Sequence, residues 1–364
     1  MATHRLTLDD ARRIAMRAAL LDAERPATPV EVAEQLGAIK IDPTSVIAPC
    51  EHTMLWTRIG FAYEPGQLKK AVETDRLLFE LDGAFRPASL LPHLLVELRR
   101  WTERDRVRDW VAANAAFRKD VLARIRADGP VLASAIPDTA VVARSNDSGW
   151  YSDNQVPRML EVLLLQGEVA VAGRQGRNRV WDLAERVYPA GMDRPTAEEA
   201  RRVMAERRLR AGGVVQHSAR TPVHDAGEPA TIEGLPGTWR VDPEALAAQG
   251  DDPGGRVALL NPYDGMLADR KRLAALFGFS YVLEQFKPKA ERRYGLFAHP
   301  ILIGDRFAGM LEATADRTRG ELHVQAVHEL LPFGQEERQM VRQEVLELSR
   351  WLGLPLSETS DVER

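Results

Sequence analysis

The stretch QVPRMLEVLLLQGEVAVAGRQGRNRVWDL, residues 155–183, restricts the possible folds more than any other part of the chain. From Gln155 to Gln166 its apolar residues recur at helical spacing, Pro157 falls in the first turn, and Gly167 stops the run. Directly behind it, Val169 and Val171 face Val180 and Trp181 across a glycine-containing turn, the pattern of a β-hairpin. Helix and hairpin follow with no linker, which is the recognition-helix-plus-wing layout of a winged helix. The hairpin tip carries Arg174, Gln175, Arg177 and Arg179, whose donors suit phosphate oxygens or a groove edge. Solubility alone also selects charged hairpin tips, so both readings stand at this point.

A related layout opens the chain. Thr7-Leu-Asp-Asp10 is a capping-box pattern ahead of an amphipathic run to Leu21. Thr28-Pro29-Val30-Glu31 supplies an N-cap, a first-turn proline and an acidic N3 residue, and Gly37 stands where a helix stop belongs. The run Ala38-Ile39-Lys40-Ile41-Asp42-Pro43 then reads as a strand, with Ile39 and Ile41 toward the core and Lys40 and Asp42 sharing the other side. Helices are expected at about 66–75 and over 87–126, with an apolar run at 77–81 between them.

Thr196-Ala-Glu-Glu199 opens a further capped, arginine-rich helix, the start of a third, partial unit. Proline and glycine crowd 222–255. From Arg256 onward short β-like runs follow closely (RVALLNPYD, FSYVLEQF, RRYGLFAHPILIG, RFAGMLEATADR, GELHVQAVHEL), and an amphipathic helix covers about 336–352. The expected fold is α+β: tandem winged-helix domains followed by a small C-terminal β-barrel. Its expected divisions are 1–126, 127–192, 193–255 and 256–364.

Composition removes several function classes. Cys50 is the single cysteine, so an intramolecular disulfide or a thiolate metal cluster is excluded, which suits a reducing cytoplasm. No segment approaches the roughly 20 apolar residues of a membrane span, and the first ten residues do not read as a signal peptide. The eight histidines show no paired metal-ligand spacing. Gly173-Arg-Gln-Gly176 lacks the lysine and spacing of a phosphate loop, and no Gly-x-Ser-x-Gly elbow occurs. Net charge is only −4, and 7 of the 49 basic residues are lysine, so Lys40 stands out against an arginine-rich background.

Lys40, Asp42, His52, Trp56 and Arg58 crowd one short segment. Singly, Trp56 and Arg58 would most often pack and pair on a helix. Together the five residues supply carboxylate, imidazole, cation and aromatic, a set that suits N-glycosidic bond cleavage. There a carboxylate stabilises an oxocarbenium-like sugar and orients a water, while cations hold an anionic polymer.

On its motifs the sequence resembles the AlkZ/YcaQ-type winged-helix DNA glycosylases of the HTH-42 superfamily. These are Gly-Ala-Ile-Lys-Ile-Asp-Pro at 37–43, HTMLWTRIG at 52–60, GEVAVAGRQGRNRVWDLAERVYP at 167–189, and NPYDGMLADRKRLAALFGF through KAERRYGLFAHPILIGDR at 261–306. The resemblance covers most of the chain. It implies tandem winged-helix units around duplex DNA with alkylated or crosslinked bases, no cofactor, and catalysis at a Gln-x-Gln or Gln-x-Asp pair.

Carried over by residue, Asp42 matches the carboxylate of Gln-x-Asp, whereas Lys40 stands where the family has Gln. Glutamine donates and accepts hydrogen bonds; lysine only donates and adds a charge. His52 matches the second of paired histidines, with Glu51 in place of the first. At 79–89, FELDGAFRPAS replaces the family's Tyr-Trp-Ala-His-like text. The expected protein is a monomeric, cytoplasmic, nucleoid-associated, monofunctional glycosylase of N-alkylated or bulky purines. In this reading Asp42 and Lys40 are catalytic, and His52, Trp56, Arg58, Arg174, Gln175, Arg177 and Arg179 contact DNA. The rivals are a DNA-binding protein that kept the scaffold and lost the motif, and a glycosylase of RNA or nucleosides.

Overall fold

Local chemistry sets the helix ends where the caps fall. Thr7 and Asp10 close a reciprocal capping box on the Leu8–Ala18 helix. Thr28 accepts from the Glu31 N–H at the start of Pro29–Leu36, and Gly37 ends that helix in the left-handed conformation, φ 70°. The structure is a computed structural model that describes residues 3–143, 154–218, 221–248 and 254–359. Its mixed α+β elements form two units, residues 68–204 and residues 1–67 with 205–364. These follow other lines than the four expected segments, and residues 249–253 of the expected 222–255 boundary lie outside the described residues.

In the 68–204 unit the helix expected over 87–126 is three helices, Leu91–Thr102, Asp105–Ala113 and Ala115–Asp128. The second break falls at Asn114, which is buried. Its amide donates to the carbonyls of Trp110 and Val142 at 3.0 Å and its Oδ1 accepts from the N–H groups of Val141 and Val142. A side chain that satisfies a neighbouring loop this fully competes with continuation of the helix. The Val156–Gln166 helix runs through Gly167 (φ 74°) into the antiparallel hairpin Val169–Gln175 and Asn178–Leu183, turned at Gly176 (φ 60°). Val131–Leu132 adds a third strand beside Asn178–Leu183. Leu160, Leu163, Leu164, Val169, Val171 and Trp181 fill the core beneath helix and hairpin.

The other unit holds two sheets. One has four strands in the order His4–Leu6, Glu228–Ile232, Trp239–Val241, Val214–Val215. The first strand and first helix of the chain share one core with this sheet, built on Leu6, Ile14, Val214, Ile232 and Trp239.

The second sheet has five strands: Val257–Leu259, His299–Ile303, Arg306–Asp316, Glu321–Glu329 and Leu356–Glu358. Among the described residues its two edge strands do not pair with each other, so the closure expected of a C-terminal β-barrel is not found there. The Gln335–Leu352 helix packs against the Val257–Leu259 edge strand, which meets by coverage the need that closure would meet by pairing. FSYVLEQF, expected as a strand, is irregular chain.

Candidate active site

Gly37 delivers the chain into a two-residue strand, Ile39–Lys40, with Ile39 buried and Lys40 exposed as the alternation requires. The alternation then loosens. Ile41 and Asp42 are both half-buried, because the chain leaves the strand ahead of Pro43. Asp42 Oδ1 accepts the Thr44 N–H at 2.9 Å, a local turn that fixes the carboxylate against its own backbone. Its Oδ2 has no partner among the described residues, and Lys40 makes no ion pair with any of them. Beyond the turn, Val46 carbonyl accepts the Ala315 N–H at 3.0 Å, which ties the motif loop to the Arg306–Asp316 strand.

The Cys50–Ile59 helix follows and is buried from Thr53 to Ile59. Arg58, 1% exposed, forms a bidentate pair with Asp264 at 2.7 and 3.0 Å and also donates to the carbonyls of Ala19 and Met54. It therefore braces the interior, and its expected role as a DNA contact is corrected. Thr57 Oγ1 donates to the Leu259 carbonyl at 2.6 Å and Asn261 donates to Thr53 Oγ1 at 2.7 Å, so the same helix is bound to residues 259–264 along its length. Trp56 is 2% exposed and packs on Trp351 with centroids 5.9 Å apart; it too is core rather than contact surface.

His52 is half-buried, and its Nδ1 lies 2.7 Å from the Tyr63 hydroxyl. Burial pushes its pKa down to about 4, so the ring is neutral at neutral pH. Burial, with Glu51 nearby, pushes the Tyr63 phenol up and keeps it protonated. Tyr63 is held in turn by Trp351, whose Nε1–H donates to the Tyr63 carbonyl at 2.8 Å and whose ring stacks on it. Behind the motif, burial raises the Cys50 thiol; Asp264, Glu51 and Asp42 add to the rise and Lys40 opposes it. Cys50 is thus a buried thiol that feels both motif charges, not a nucleophile.

In the other unit the hairpin arginines are largely consumed. Buried Glu80 accepts from Arg174 Nε and Nη2 at 2.7 and 2.6 Å and from Arg179 Nε. Arg179 also meets Glu161, and the Arg174 N–H donates to Glu73 at 3.1 Å. Arg174 and Arg179, expected on a DNA backbone, thus spend donors on holding the hairpin. Gln175 and Arg177 are exposed at the tip, and their side chains have no partner among the described residues.

The structure brings Lys40, Asp42 and His52 into one segment of one unit and turns Trp56 and Arg58 away from it. Tyr63, Trp351 and Asp264 escaped sequence reasoning; the last two lie 288 and 206 residues from their partners Tyr63 and Arg58, where no periodicity reports a contact. Asp264 did fall in a motif quoted for its text, NPYDG, without a role. Among the described residues no group of three or more His, Cys, Asp or Glu could hold a metal ion, and no helix is long and apolar enough to cross a membrane.

Two comparisons bear on this geometry. The family model described as "DNA glycosylase AlkZ-like" matches residues 33–351. The solved structure of the Streptomyces sahachiroi DNA glycosylase AlkZ is similar over 98% of this chain and 100% of that one, with a TM-score of 0.63. At 16% identity that likeness shows the fold.

Proposed function

The chain belongs to the AlkZ-like DNA glycosylase family, and on that premise we propose that it hydrolyses the N-glycosidic bond of N-alkylated or bulky purines in duplex DNA, crosslinked ones included. One observation carries the reading. At the motif, Asp42 is fixed through Oδ1, and among the described residues neither its Oδ2 has a partner nor Lys40, two residues before it, an ion pair.

An N7-alkylated purine is already cationic, so it leaves without being protonated. The C1′–N bond breaks, its electron pair passes to the base, and positive charge develops on the sugar. The Asp42 carboxylate stabilises that charge and orients the water that attacks C1′; the water's proton goes to the carboxylate or to solvent. A fixed ionised group is worth most at such a point because it needs no reorganisation as charge develops. Neutral His52, joined to Tyr63 through Nδ1, offers its Nε2 side to DNA or to the water. Lys40 serves as a fixed cation toward a phosphate or Asp42. It makes no covalent link to the sugar, so the enzyme is monofunctional and leaves an intact abasic strand.

The hairpin acts as a wing whose contacts to the backbone are Gln175 and Arg177. The protein works as a monomer without a cofactor. The test is release of free base from duplex DNA bearing N7-alkylguanine, with borohydride added to trap any Schiff base. Free base with no trapped adduct supports the reading. An adduct lost in both Lys40→Gln and Lys40→Ala makes Lys40 a nucleophile. No release by wild type, but release by Lys40→Gln, favours a DNA-binding protein that lost its chemistry.

A further inference from the structure

Residues 282–296 form an irregular loop with an unusual surface: Phe286 is 82% exposed, and Val282 and Leu296 are 51% and 43% exposed. The loop is nonetheless built. At its base the Tyr281 hydroxyl donates to the Ala298 carbonyl at 3.2 Å, and Phe279 stacks on Phe307 at 4.4 Å. Across its middle the buried Glu284 carboxylate accepts from Lys287 Nζ at 2.8 Å and from the N–H groups of Arg293 and Tyr294 at 2.7 and 2.9 Å. Gly295, at φ 98°, lets the chain turn where the Glu312 carboxylate occupies the space of a Cβ. A phenyl ring held in water by this many constraints is presented, not left over.

Its surroundings identify what it is presented to. Glu284 is spent inside the loop, which leaves Lys289 and Arg293 exposed against the single exposed acid Glu291. Phe286 with the two smaller side chains Val282 and Leu296 falls far short of a protein interface, which needs roughly 800 Å² on each partner. It suits the base stack of DNA, where one apolar wedge between bases and cations on the flanking phosphates are enough. The loop is also wired to the motif's own unit. Gln285 donates to the Tyr263 hydroxyl at 2.8 Å, and the neighbouring Asn261 and Asp264 brace the Cys50–Ile59 helix.

We infer that the 282–296 loop is a DNA-engaging wedge, in which Phe286 enters the base stack beside the target nucleotide and Lys289 and Arg293 take the adjacent phosphates. Extruding a base leaves a gap whose lost stacking an inserted ring replaces. The inference rests on the DNA reading above but not on the chemistry assigned to Asp42.

The experiment uses the full chain and a duplex with 2-aminopurine next to N7-alkylguanine, in which fluorescence reports stacking of the neighbour. Wild type is expected to change that fluorescence on binding. Phe286→Ala is expected to abolish the change and lower excision about tenfold, the scale of one lost aromatic–base stack, with an unaltered melting temperature. Lys289→Ala with Arg293→Ala is expected to flatten the salt dependence of binding by about two units of log–log slope. A Phe286→Ala protein that keeps the fluorescence change overturns the inference. So does a wild-type dimer that Phe286→Ala dissolves while its DNA behaviour is unchanged, which would make a second copy the occupant. Wild type that excises nothing but shows the Phe286-dependent signal sinks the glycosylase reading and leaves the wedge standing.

Discussion

Two segments of this chain carry clustered charges, and the structure treats them in opposite ways. In the hairpin, Arg174 and Arg179 converge on buried Glu80, while Glu161 takes a further Arg179 donor and Glu73 the Arg174 backbone N–H. At the motif, Lys40 is exposed and Asp42 half-buried, the two are not paired with each other, and among the described residues Asp42 has a partner at Oδ1 alone. A saturated charge cluster has no free valence for a ligand; its worth is structural. An open carboxylate held by one backbone hydrogen bond contributes little to stability and is available to a reacting group. Within the motif's unit the same contrast separates Arg58, sealed by Asp264, from Asp42.

The comparison can be broken first at Glu80. Glu80→Ala removes the acceptor of two guanidiniums, and loss of one side of a buried ion pair costs about 3–5 kcal/mol. The lower figure is expected, because Arg174 and Arg179 keep 28% and 23% of their side chains exposed and can turn to water. Chemical denaturation measures it; a cost below about 1 kcal/mol would return the cluster to ordinary surface pairing.

Asp42→Asn should do the reverse. Excision of N7-alkylguanine is expected to fall about 10²-fold or more, the loss typical of a preorganised electrostatic group, with denaturation midpoint and DNA affinity nearly unchanged. Excision at the wild-type rate would remove Asp42 from the chemistry.

A third effect distinguishes buried imidazole from exposed charge. Burial lowers His299 to about 4. Between pH 6.5 and 4 the unfolded chain therefore protonates this histidine while the folded chain does not. Its contribution to stability is present above pH 6.5 and is lost as pH falls through that window, by about 3 kcal/mol. His299→Leu should flatten this part of the stability–pH curve. An unchanged curve would show that His299 keeps its ordinary protonation when folded.

The smallest effect is at the hairpin tip. Arg177→Ala is expected to flatten the salt dependence of DNA binding by about one log–log unit, similarly for damaged and undamaged duplex. Arg174→Ala should instead lower stability, because its donors are spent on Glu80. If both substitutions gave the same salt slope as wild type, the tip would be solvated surface.

Local structure was legible wherever it rests on local chemistry. The Thr7 and Thr28 caps, the Gly37 and Gly167 stops, and the 156–183 helix and hairpin follow from residues close to one another in sequence, and the structure has them. The helix expected over 87–126 failed at Asn114, because the loop carbonyl and N–H groups that satisfy its amide lie near residue 142. A closed barrel is not found among the described residues, and the sequence could not decide it, because short strands in succession specify neighbours in a sheet and say nothing about whether its edges meet.

By itself the sequence determined the family, through motif text spread over most of the chain, and the candidate pair Lys40 and Asp42, through their place in that text. Only the tertiary structure decided which charges remain open. Arg58 and Arg174 stood among the expected DNA contacts, and their partners Asp264, 206 residues away, and Glu80, 94 residues away, are brought to them only by the fold. The reason is physical. A helix or turn is stabilised by groups close in sequence, so its signal is written locally, whereas pairing of a charge depends on whatever the fold packs beside it. Phe286 shows the same limit in reverse: the sequence placed it in an apolar run that reads as a strand, and the packing around Glu284 leaves it in water.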